Sequence, residues 1–94
     1  MEIKGYLVQN QEGSYLSQSY FWFAHERFKD AWVHPENNLE VILRQSENWE
    51  IKPAKLTKAT YDTERKNSTT LVSNAIDIQG LDIEQVRNVL KRTS

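Results

Sequence analysis

Cysteine is absent from this chain of 94 residues, which excludes a disulfide framework, a thiolate metal site and a thiol nucleophile. Glycine occurs three times and proline twice. Three glycines are too few for a phosphate-cradling loop or a dinucleotide fingerprint, and no Gly-x-Ser-x-Gly elbow is present. No run approaches the ~18 apolar residues needed to cross a bilayer, so no membrane association is expected. Met1-Glu2-Ile3-Lys4-Gly5 has no basic stretch leading into an apolar one, so the sequence predicts no secretory leader and a cytoplasmic protein. Asn67-Ser68-Thr69 spells a glycosylation sequon, which in that compartment marks only a polar loop. An excess of one charge is missing too. Twelve basic residues against thirteen acidic leave a formal charge of −1, where dedicated nucleic-acid binders usually carry a basic surplus.

What is present is aromatic. Three Trp, four Tyr and three Phe supply much of the large apolar material, and aromatics bring the most buried area per side chain. With 38 % apolar and 27 % charged residues the composition is that of a folded chain. The length fits one domain, residues 1–94, which buries only roughly 60–65 % of its unfolded surface.

Ile3 to Asn10 has the composition of a strand. Gln11-Glu12-Gly13-Ser14 supplies a turn whose glycine takes positive φ, and Tyr15-Leu16-Ser17 returns. Tyr20-Phe21-Trp22-Phe23 suits a strand, yet Phe21, Ala24, Phe28, Ala31 and Trp32 fall at helical spacing, so the two periods compete. The preferred reading is an irregular crossover ending in a short strand, Ala31-Trp32-Val33-His34, because the residue before Pro35 is pushed to extended geometry. Pro35 then opens a helix whose apolar face is Leu39, Ile42 and Leu43, running to about Glu47. Leu56 to Tyr61 and Thr69 to Ile78 predict a second hairpin with a polar tip at 62–68. Asp82 with Gln85 three residues on predicts a capping box, Leu81 and Val86 a hydrophobic staple, and Ile83, Val86, Val89 and Leu90 the apolar stripe of a last helix. The order β-β-β-α-β-β-α gives an α+β fold: a small antiparallel sheet with two helices on one face.

Three groups of residues invite a chemical reading. His25 with Glu26, and His34 beyond Asp30, provide imidazoles that titrate near neutrality. They lack the paired spacing and the further ligands that a metal needs, and solvation of His25 and the position of His34 before Pro35 explain them as well. No metal, no cofactor and no catalytic residue is expected, and the chain is short for an enclosed active site.

Between Ile51 and Lys66 five cations (Lys52, Lys55, Lys58, Arg65 and Lys66) outnumber Asp62 and Glu64, a net +3. Trp49 and Tyr61 flank them and could stack on bases. The plainer account has the lysines guarding a sheet edge, and lysines every third residue alternate between the faces of a strand. The preceding segment, Glu36 to Glu50, carries four acids against Arg44, net −3. Opposed patches of this kind steer a partner or favour self-association.

The aromatic run is the third group. Four successive aromatics on a strand cannot all face one side, so one or two must look outward unless something covers them. Exposed aromatics mark protein interfaces. The expected function is therefore a non-enzymatic interaction module for a protein partner or a second copy, touching through Tyr20, Trp22, Phe23 and Trp32. The alternative is a weak nucleic-acid-binding accessory protein using the basic hairpin.

Overall fold

The computed structural model describes residues 1–24, 28, 31–64 and 68–93. Its centre is one long antiparallel pair, β1 (Glu2–Gln9) and β5 (Lys55–Asp62), aligned from Glu2 opposite Asp62 to Gln9 opposite Lys55. Gly5, Tyr6, Leu7 and Val8 are all buried. That continuous run, in place of alternation, is what a strand covered on both faces requires. Short strands line the outer edges of this pair. β2 (Tyr15–Leu16) and β4 (His34–Pro35) both pair with β1, and β3 (Trp22–Phe23) pairs with β2. On the other side β6 (Ser68–Leu71) and β7 (Ile76–Asp77) share β5. Among the described residues the result is a seven-stranded antiparallel sheet.

Two helices, α1 (Leu39–Ser46) and α2 (Ile83–Thr93), cover one face. There Tyr6, Val8, Leu16 and Leu56 from the sheet meet Leu39, Ile42 and Val86 from the helices, with Leu43, Leu81 and Leu90 packed around them. The α+β class and the placement of both helices on one face match the sequence expectation. The opposite face holds a smaller cluster, Leu7, Ala59, Ala31 and Val33, flanked by Tyr15, Phe28 and Tyr61. Thr69 Oγ1 ties that cover to the sheet by donating to the Ala31 carbonyl at 3.3 Å. Among the described residues no helix is long and apolar enough to cross a membrane.

Local chemistry explains most boundaries. Buried Asn10 accepts the Glu12 and Ser14 amides on its Oδ1 at 2.9 and 3.1 Å, and Gly13 takes φ 87°. An Asx-type turn of this kind closes the first hairpin without help from elsewhere. Asp82 accepts the Gln85 amide at 2.8 Å while Gln85 Oε1 accepts the Asp82 amide at 3.0 Å, the full reciprocal capping box.

Four features differ from expectation. The crossover expected before residue 31 contains a strand, β3, so four strands precede α1 where three were expected. The strand expected at 31–34 begins only at His34, because Ala31 and Val33 leave the ladder to pack on the second face. Pro35 pairs with Gly5 and has an extended ψ of 148°, so it precedes a 3-10 turn, Glu36–Asn38, and the α-helix starts at Leu39. The strand expected over 69–78 is two strands. Val72 still donates to the Lys58 carbonyl, but Ser73 Oγ takes the Lys58 amide at 3.2 Å, so a side chain replaces the next ladder bond and the chain leaves the sheet until Ile76.

Candidate functional site

The hairpin between β2 and β3 carries the aromatic run, and its loop has an unusual backbone. Tyr20 sits at φ 65°, the one non-glycine residue with positive φ among those described. That conformation costs a bulky side chain about 1–2 kcal/mol and persists only where surrounding contacts impose it. Ser17 supplies the local part. Its carbonyl accepts the Tyr20 amide at 3.0 Å, its amide donates to the Phe21 carbonyl at 2.8 Å, and its Oγ accepts the Phe21 amide at 3.0 Å.

Distant residues supply the rest. Tyr20 accepts a hydrogen bond on its hydroxyl from Asn38 Nδ2 at 3.1 Å. Asn38 is the residue before α1; its own backbone is already helical and it makes no side-chain cap. The Tyr20 ring stacks on His34 (centroids 6.0 Å, planes 19° apart) and lies 6.2 Å from Trp49. Trp22 meets Trp49 edge-to-face at 6.2 Å and 89°, and its Nε1 donates to the Ile51 carbonyl at 3.1 Å. Such ring pairs add stability beyond the area they bury.

The four successive aromatics therefore part company. Tyr20 and Trp22 are half-buried against the helix-side core. Phe23 is half-buried opposite Tyr15, on the other face of the sheet. Phe21 is 70 % exposed. Trp32, from the crossover, is 37 % exposed. Contacts are expected at Tyr20, Trp22, Phe23 and Trp32, whereas Phe21 is the most exposed residue of the run. The only local hint was a Ser-x-Ser turn placing an aromatic where glycine or asparagine is usual.

His34 lies beneath this corner at 1 % exposure. Its Nε2 is 3.0 Å from the Leu16 carbonyl, an acceptor only, so Nε2 carries the proton. Burial pushes the imidazole below its ordinary value, opposed in part by that hydrogen bond. A neutral, enclosed imidazole is placed to hold strand β2 and the Tyr20 ring, not to meet a solute. His25 lies outside the described residues. Among the described residues no cluster of three or more His, Asp or Glu side chains is placed to hold a metal ion.

The basic set is dispersed. Lys55 is exposed and opposite Gln9, Lys58 is half-buried opposite Tyr6, and adjacent register pairs alternate between faces, so the two point to opposite sides of the sheet. Lys52 stands in the loop after α1, exposed. Arg65 and Lys66 lie outside the described residues. The strand that carries Lys55 and Lys58 is central, so these lysines do not guard an edge. Trp49 and Tyr61, the expected stacking pair, pack against opposite faces.

Beside the aromatic corner runs a groove that the sequence did not disclose. Two adjoining cavities of about 350 and 280 Å³ share Lys52, Pro53 and Gly80. Ile51, whose carbonyl takes the Trp22 indole, lines the first and is 50 % exposed. On the helix side one small network of ion pairs joins α1 to α2. Glu40 pairs with Arg44 and Arg87, and Arg87 also with Glu84. Those two guanidinium groups hold the Glu40 carboxyl below its usual value, Arg87 contributing most.

Comparison with protein-family models, with curated proteins and with solved structures gives no match, so the functional reading rests on the geometry alone.

Proposed function

We propose that this protein is a non-enzymatic interaction module whose anchor is Phe21. One observation supports this above the others: the exposed Phe21 directly follows Tyr20, whose backbone neighbouring contacts hold in a strained conformation. Interface energy concentrates in a few aromatic anchors, and an anchor already ordered before binding loses less entropy on association. Tyr20 and Trp22, expected as contacts, serve here as the platform, with His34 and Trp49 behind them. Nucleic-acid binding through Lys52, Lys55 and Lys58 finds less support, since they do not form one stripe.

The test is an affinity pull-down from the native lysate with wild type and Phe21→Ala, with and without nuclease, at low and high salt. The expected result is a protein retained at high salt after nuclease and lost from the variant, whose melting temperature is unchanged. Equal retention by the variant refutes the anchor. Recovery of nucleic acid that disappears with salt moves the function to the lysines.

A further inference from the structure

We infer that the groove beside Phe21 binds a cationic, partly apolar peptide segment of the partner. The inference rests on the interaction-module reading and specifies the chemistry of what that module recognises.

The groove has an apolar floor and an acidic rim. Pro53 and Ala54 are buried beneath the first cavity, and Ile78 and Leu81, with Leu43 and Ile83, supply apolar lining to the second. Glu12 and Glu50 line the first cavity, and Glu47 and Asp82 the second. Among the described residues Lys52 is the one cation lining either, which gives those lining residues a net charge of −3.

The acids differ from those elsewhere on the helices. Glu40 and Glu84 are paired with arginines of this chain. Glu12, Glu47 and Glu50 are exposed and have no cation partner among the described residues. An open carboxylate rim over an apolar floor complements a segment that alternates Lys or Arg with an aliphatic or aromatic side chain. Ile51 joins the floor to the aromatic corner, because its carbonyl is bonded to Trp22, the residue after Phe21. One extended segment can therefore lay its apolar side chain near Pro53 while a neighbouring part of the partner covers Phe21. A second copy of this chain is the competing occupant, because Lys4 and Arg92 are exposed outside the groove, and the self-association arm below separates it from a partner peptide.

The experiment pans a library of short random peptides, displayed on phage, against the full chain and against the triple variant Glu12→Gln, Glu47→Gln, Glu50→Gln. Enriched peptides are expected to combine basic with apolar residues. A synthetic peptide of the enriched sequence should bind the triple variant about tenfold more weakly by fluorescence anisotropy, with unchanged melting temperature. Its amide shift changes on wild type should centre on Ile51, Lys52, Gln79 and Gly80. Enrichment of acidic or neutral peptides, no enrichment, or equal binding to the triple variant overturns the inference. So does a self-association of wild type that the triple variant loses. If these peptides fail while the lysate partner still depends on Phe21, the groove assignment falls and the interaction module stands. If neither dependence is found, both fall.

Discussion

Replacing Gly5 by alanine tests whether the sheet is held together as described. Gly5 lies in the buried middle of β1, opposite Ala59 on one side and Pro35 on the other. A Cβ added there would stand 1.9 Å from the His34 carbonyl oxygen, 2.6 Å from its carbon and 2.9 Å from Pro35 Cα. Ordinary contact begins near 3.4 Å, so backbone must separate by more than an ångström. No flexible side chain can absorb the clash. β4 has only this pairing with β1, and Tyr6, Leu7 and Val8 are packed on both faces, so the ladder at Gly5 and Tyr6 breaks or β1 shifts within its core. Overpacking a core by a methyl costs about 1–3 kcal/mol, and an immovable backbone puts this site at or above the upper end. Against a total of roughly 5–14 kcal/mol for a chain of this length, 3 kcal/mol lowers Tm by roughly 12–24 °C. The assay is thermal and urea denaturation followed by circular dichroism, with Gly13→Ala as comparison. Gly13 meets nothing within 4 Å but sits at φ 87°, so alanine there should lose only about 1 kcal/mol. Gly5→Ala within about 0.5 kcal/mol of wild type would refute the close approach of β4 to β1.

Other consequences are equally direct. His34 has its folded-state pKa lowered, so the unfolded chain binds more protons in the window below 6.5; stability present above that pH should fall as pH drops toward the folded value. The urea midpoint of His34→Gln should lose most of that slope, and an unchanged slope would assign it to other groups. Glu40, also lowered, loses its contribution in a separate window below 4.5, which the same titration resolves. Trp22→Ala removes the edge-to-face contact with Trp49 and the bond to Ile51 and should cost about 3 kcal/mol, with a shift of the remaining tryptophan emission as its signature. Asp82→Ala should cost about 1 kcal/mol and speed amide exchange in the first turn of α2, while leaving β1 and β5 protected.

The features legible in the sequence are those made by neighbours. Asp82 and Gln85 are three residues apart, and each supplies what the other's backbone lacks. Asn10 and Gly13 close their turn with bonds spanning four residues at most. The face of Leu39, Ile42 and Leu43 follows from the helical period. The break between β6 and β7 was not legible, because Thr69 to Ile78 is uniformly strand-forming. What ends the ladder is one serine hydroxyl reaching a strand fifteen residues away. Nor does anything local mark Gly5 as indispensable, since the atoms that exclude a methyl there belong to His34 and Pro35.

The aromatic run resisted reading for a related reason. A strand period and a helix period both presume that every residue takes the same backbone geometry, and Tyr20 takes neither. Its left-handed turn breaks the alternation after β2, so parity counted from Tyr15 cannot assign Phe21 to a side. The contacts that hold the turn come from Asn38, 18 residues on, and from the Trp22 bond to Ile51, 29 residues on. A single position with positive φ thus carries two consequences. It sends Tyr20 inward to finish the helix-side core, and it sends Phe21 outward on a backbone with little freedom left. Replacing Tyr20 by glycine separates the two. The turn geometry is kept at lower strain, the ring contacts with His34 and Trp49 are lost, and Phe21 remains in sequence but no longer on a braced loop. If partner binding depends on the bracing, Tyr20→Gly weakens it while Phe21 is untouched. If binding by Tyr20→Gly equals wild type, exposure of Phe21 alone is sufficient and the strain at Tyr20 serves only the core.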